Sequence, residues 1–79
     1  MTDADNRLLA YQSSFLDWSL LAGNRLDKMQ KYCMQYAEHK NPSDLINAEY
    51  WCRMVAAATK QMQYYVQEIT ELQEVMPNA

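Results

Sequence analysis

Apolar side chains recur at every third or fourth position along almost the whole of this 79-residue chain. In the first half they continue without a change of phase through Leu8, Tyr11, Phe15, Trp18, Ala22, Leu26, Met29, Cys33 and Tyr36. Residues three and four apart share one face of an α-helix, whereas a half-buried strand needs alternation at every second residue. The spacing therefore predicts a long amphipathic helix over about 3–40. Thr2 and Asp5 resemble a capping box at its start.

The pair Gly23-Asn24 lies inside this first helix and is the one place where it could break. A break would give a three-helix bundle with segments near 3–22, 25–40 and 42–76. However, a two-residue loop would reset the phase of the apolar stripe, and the stripe passes through Gly23 unchanged. A glycine inside a helix costs only ~1 kcal/mol relative to alanine. We favour the unbroken helix and keep the bundle as the alternative.

The strongest boundary signal is Asn41-Pro42. Proline disfavours helical geometry in the residue before it and is preferred at the first position of a helix, so Asn41 is a natural N-cap. After this turn at 41–42, a heptad register predicts a second helix over about 42–76, ended by Pro77-Asn78. One core position of the heptad holds Ala48, Val55, Met62, Ile69 and Met76. The other core position holds Trp51, Ala58, Tyr65 and Leu72.

Together these signals predict an all-α, antiparallel two-helix hairpin that occupies residues 1–79 as a single domain. A chain of this size buries a small core, so we expect it to associate into a coiled-coil or four-helix-bundle-like homo-oligomer. The predicted seam of the hairpin or oligomer consists of Phe15, Trp18, Met29, Trp51, Val55, Met62, Tyr65, Ile69 and Leu72.

Several large apolar side chains fall outside this seam. We predict that they form an interaction surface, made of Leu9, Leu16, Leu20, Tyr50, Met54 and Tyr64. A partner that covers such a contiguous patch gains the free energy of apolar burial. The simpler interpretation is that some of these side chains are ordinary exposed surface residues.

The composition argues against other classes of protein. Two cysteines and one histidine are too few for a disulfide framework or a Cys/His metal site. We expect Cys33 to be buried on the stripe as a small hydrophobe, and His39 to act as a helix-terminal charge. The acidic row Glu68, Glu71 and Glu74 is more typical of a solvated face than of a cation site. No catalytic residues, cofactor or metal are predicted.

The formal net charge of −3 disfavours nucleic-acid binding. The N-terminus lacks the features of a signal peptide, and the dense apolar stretch 15–22 is too short to cross a bilayer and is interrupted by Asp17. We therefore expect a cytoplasmic protein with reduced cysteines and no transmembrane segment.

The segment from Asn41 through Trp51, followed by Arg53, glutamines at 61, 63 and 67, and Glu71-Leu72, resembles the phasins. That family has a long helix, a Pro-x-(Asp/Glu)-Leu turn and a glutamine-containing second helix, and Leu45, Trp51 and Arg53 match its pattern. The likeness covers residues 40–75. The chain is shorter than usual for the family and has more Trp and Cys.

The resemblance implies a non-enzymatic, amphiphilic helical protein that coats polyhydroxyalkanoate granules, so that its partner would be an apolar polymer surface. The alternative is a small helical module that binds a partner protein, as an adaptor, chaperone or inhibitor, through an apolar helix face.

Overall fold

Two long helices packed side by side make up the computed structural model, which describes residues 2–75. Helix α1 spans Asp3–His39 and helix α2 spans Pro42–Val75, and they run antiparallel in a rod of 57 × 15 × 15 Å. The described residues contain no strand. The all-α hairpin is thus confirmed, while Met76 and the stop signal Pro77-Asn78 lie outside the described residues. Neither helix combines the length and the apolarity needed to cross a membrane.

The capping box predicted at the start of α1 is present. Thr2 Oγ1 accepts a hydrogen bond from the backbone N–H of Asp5 at 3.1 Å, and the Asp5 carboxylate accepts from the N–H of Thr2 at 3.2 Å. At the other end of α1, Lys40 adopts the left-handed conformation, with φ 56° and ψ 29°. Its N–H donates to the carbonyl of Tyr36 at 2.8 Å, which closes the helix.

The turn lies where the proline signal predicts it. Asn41 Oδ1 accepts from the backbone N–H of Ser43 at 3.1 Å, and the carbonyl of Asn41 accepts from the N–H of Asp44 at 3.0 Å. Pro42 is the first residue of α2, where its missing N–H costs nothing. Asn41 is therefore the N-cap of α2, as expected.

Helix α1 is unbroken at Gly23. The glycine has no positive φ, and a Cβ added to it would meet no atom within 4 Å. The three-helix alternative is therefore not the observed fold, and Gly23 is an exposed, locally weak point in a continuous helix.

The centre of the seam is made largely of small side chains. Four described residues are buried, and three of them are alanines: Ala22, Ala48 and Ala58, with Leu72 as the fourth. Alanines become enclosed only where two helix backbones approach closely. The larger predicted seam residues are half-buried, because a single neighbouring helix covers only one side of each; these are Phe15, Trp18, Met29, Trp51, Val55, Met62, Tyr65 and Ile69.

Candidate interaction surface

Three leucines of α1 form a row, called here the leucine row: Leu9, Leu16 and Leu20. Their side chains are 53%, 57% and 60% exposed. At 100° per residue the row lies roughly 160° around α1 from the centre of the seam, and it spans roughly 17 Å along the axis. The leucine row therefore faces away from α2.

A second row, called here the tyrosine row, runs along α2 and consists of Ile46, Tyr50, Ala57, Tyr64 and Val75. It lies roughly 120° around α2 from the seam, and its large members are at least half-exposed. Each tyrosine rests edge-on against the aromatic residue that follows it, with ring centroids 5.1 Å apart for Tyr50 and Trp51 and 5.0 Å apart for Tyr64 and Tyr65. The exposed tyrosines are thereby held by rings of the seam.

The six residues predicted as one interaction surface do not form a single patch. Leu9, Leu16 and Leu20 lie on the far side of α1, whereas Tyr50 and Tyr64 lie on a lateral side of α2. Met54 is half-buried between the tyrosine row and the seam. The predicted surface is thus divided into two separate rows, with Met54 belonging to the edge of the hairpin contact.

Three contacts fix how the two helices are aligned. Arg25 donates from Nη1 to the carbonyl oxygen of Met54 at 2.7 Å, and the Nζ of Lys28 lies 4.5 Å from the centre of the Trp51 ring. Near the open end of the hairpin, the Tyr11 and Tyr65 rings are 6.1 Å apart. Sequence reasoning did not identify the roles of Arg25 and Lys28, because helical periodicity gives the face of a residue but not the level at which it meets the other helix.

Charge is distributed unevenly along the tyrosine-row side of the hairpin. The half of α2 near the turn has Arg53, which forms an exposed ion pair with Glu49 at 2.6 Å, and Lys60 lies just past the midpoint of the helix. The opposite end has acidic side chains in an open groove lined by Arg7, Tyr11, Glu68, Glu71, Leu72 and Val75. The Glu68 carboxylate raises the pKa of the Tyr64 phenol, with smaller contributions from partial burial and from the neighbouring tyrosines.

The cysteines and the histidine are surface residues. Both Cys33 and Cys52 are free thiols and both are exposed, so the expectation that Cys33 is buried was wrong. Cys33 lies at the edge of the stripe, where the narrow contact between two helices does not reach. His39 is exposed at the end of α1, 3.8 Å from Glu38. Within residues 2–75, no group of three His, Cys, Asp or Glu side chains is positioned to hold a metal ion.

Comparison of the chain with protein-family models, with curated proteins and with solved structures gives no match. The resemblance to phasins therefore stays a prediction that rests on the residues of the turn and of α2.

Proposed function

We propose that this chain catalyses no reaction and works as an association module, covering the apolar surface of another molecule with the exposed rows of its hairpin. The observation that supports this most strongly is the leucine row. Its three side chains project more than half-exposed from a capped, continuous helix, on the side that α2 does not cover. Burying the exposed part of each leucine contributes about 1 kcal/mol.

The geometry favours a helical protein partner, which was the alternative suggested by the sequence. The leucine row is a narrow ridge with i, i+7, i+11 spacing, and a ridge of this kind packs into the groove of another helix or helix pair. A flat polymer surface would contact only one of the two rows while the hairpin stays closed, because the rows point in different directions.

The test is a pair of glutamine variants of the leucine row. Leu16→Gln/Leu20→Gln should keep the helicity of the hairpin, since both side chains face away from α2, but should lose a stoichiometric protein partner that co-purifies with the wild type. A control, Gln12→Ala/Ser13→Ala, changes exposed polar positions of the same helix and should retain the partner. If the leucine variant binds the same partner as tightly as the wild type, the leucine row is not the binding surface.

A second candidate is the phasin-like granule coat implied by the resemblance, and the small core supports it. The hairpin has a single seam, and the large seam side chains that opening would expose, such as Phe15 and Trp18, would be covered again by the polymer. Once open, each helix could lay its apolar stripe on a polymer surface. If the protein pellets with polyhydroxyalkanoate granules and the fluorescence of Trp18 and Trp51 shifts to the blue, this candidate replaces the first. A cytoplasmic location stays a prediction in both cases.

A further inference from the structure

We infer that the tyrosine row of α2 binds the same row of a second copy of this chain, with the two α2 helices antiparallel. The inference rests on the proposed association function and names one of its partners. It concerns a different surface from the leucine row, so that a homodimer built in this way leaves the leucine row free for another molecule.

The apolar content of the tyrosine row is the first argument. Ile46 is 67% exposed and Val75 is 76% exposed, at opposite ends of the row, and Tyr50 and Tyr64 lie between them at about equal exposure. Ala57, between the two tyrosines, leaves space for a large side chain from the partner. Tyrosine also supplies a large, rigid contact area with a polar end, a combination that is enriched in protein interfaces.

The surface area of the hairpin is the second argument. The chain exposes 5927 Å², whereas a compact monomer of its mass, 9.3 kDa, exposes roughly 5,000 Å². The excess of roughly 900 Å² is close to the ~800 Å² that each partner contributes to a stable interface. Pairing of two hairpins along α2 would therefore bring the exposed area per chain near the value for a compact protein.

Charge complementarity selects the antiparallel orientation. Beside the tyrosine row, Arg53 lies in the half of α2 near the turn, Lys60 lies just past the midpoint, and Glu68 and Glu71 lie in the other half. A parallel pair would place the two carboxylates of one copy against the same two carboxylates of the other copy. An antiparallel pair instead places them opposite the half that has Arg53. Arg53 can exchange its exposed partner Glu49 for a carboxylate of the second copy at little cost.

The experiment measures self-association by sedimentation velocity for the full chain and for two charge-reversed variants. The turn-half variant is Arg53→Glu, and the acidic-half variant is Glu68→Lys/Glu71→Lys. Each should raise the dissociation constant of the dimer at least about tenfold, because paired attractions become repulsions. An equimolar mixture of the two variants should associate again, and added salt should weaken that association.

Two controls separate this surface from general effects. Asp17→Lys/Glu38→Lys changes the net charge as much as the acidic-half variant, but on exposed positions of α1, and should dimerise like the wild type. Glu49→Gln removes the ion pair with Arg53 while leaving Arg53 in place, and should also dimerise. Circular dichroism verifies that each variant keeps its helices.

A spin label on Cys52, in a Cys33→Ser background, tests the orientation. Cys52 lies on the side of α2 away from the tyrosine row, and the outer sides of two packed helices are roughly 20 Å apart. A parallel dimer would give about this distance, whereas an antiparallel one adds an axial offset and gives roughly 30–40 Å. A distance near the lower value would overturn the inference.

A chain that stays monomeric, or a dimer indifferent to both charge-reversed variants, would also overturn it. If partner binding by the leucine row survives in either case, only this inference fails and the proposed function stands. If variants of the tyrosine row instead abolish binding to polymer granules, the row serves that surface and not a second copy.

Discussion

Replacing Gly23 by alanine should stabilise the hairpin. Gly23 lies near the middle of α1, its backbone has no positive φ, and the position of an added Cβ is in open space. The methyl group therefore meets no steric resistance and makes no new packing contact. Its effect comes from the backbone alone, because alanine has fewer conformations to lose on entering a helix.

The expected gain follows from helix propensities. Glycine in an exposed helix interior is less favourable than alanine by about 0.8–1.0 kcal/mol, so Gly23→Ala should raise the free energy of unfolding by about that amount. For a domain of this size, a change of 1 kcal/mol moves the melting temperature by about 4–8 °C. If α1 were broken at Gly23 and the residue were left-handed, alanine would instead cost about 1–2 kcal/mol.

The measurement is thermal and urea unfolding followed by circular dichroism, at one protein concentration for all variants, since association makes the melting temperature depend on concentration. Ala56→Gly, at an exposed interior position of α2, is the matched control and should lower stability by a similar amount. A lower melting temperature for Gly23→Ala would refute the continuous helix and revive the three-helix alternative.

Three further predictions test the turn, the core and the charged end. Lys40→Gly should raise the free energy of unfolding by about 0.5–1 kcal/mol in urea unfolding, because glycine adopts the left-handed conformation of the cap without strain. Ala58→Leu should lower it by about 1–3 kcal/mol through overpacking where the helices approach closely, whereas Ala56→Leu at an exposed position should leave it nearly unchanged. Glu68→Gln should lower the pKa of Tyr64, which is measured by the ultraviolet absorbance of tyrosinate. Because folding raises this pKa, the contribution of Tyr64 to stability is present at pH values below its ordinary pKa. That contribution is lost as the pH rises through the pKa of Tyr64 in the folded chain.

The sequence predicted those parts of the fold that depend on local chemistry. The capping box at Thr2 and the N-cap at Asn41 are satisfied by atoms within three residues, so a short sequence window contains all the information they need. The apolar stripes likewise predict the two long helices, because the periodicity of apolar residues can be recognised within one helix without knowledge of the other.

The remaining features depend on how the two helices meet. The heptad register placed Ala48 and Ala58 at core positions, but it did not show that they would be more buried than the large residues beside them, which depends on how closely the helices approach. The hydrogen bond from Arg25 to the Met54 carbonyl requires a particular axial alignment, which periodicity does not define. For the same reason the two exposed rows looked like one surface in the sequence and lie on different sides of the hairpin.

The central claim is that this hairpin completes its apolar burial by association. The melting temperature measured by circular dichroism over about a hundredfold range of protein concentration tests it most directly. We expect the melting temperature to rise steadily with concentration, because the associated form has more apolar surface covered than the separate chains. A cooperative melt at one fixed temperature across the whole range would contradict the claim, since it would show that the chain is complete as a monomer.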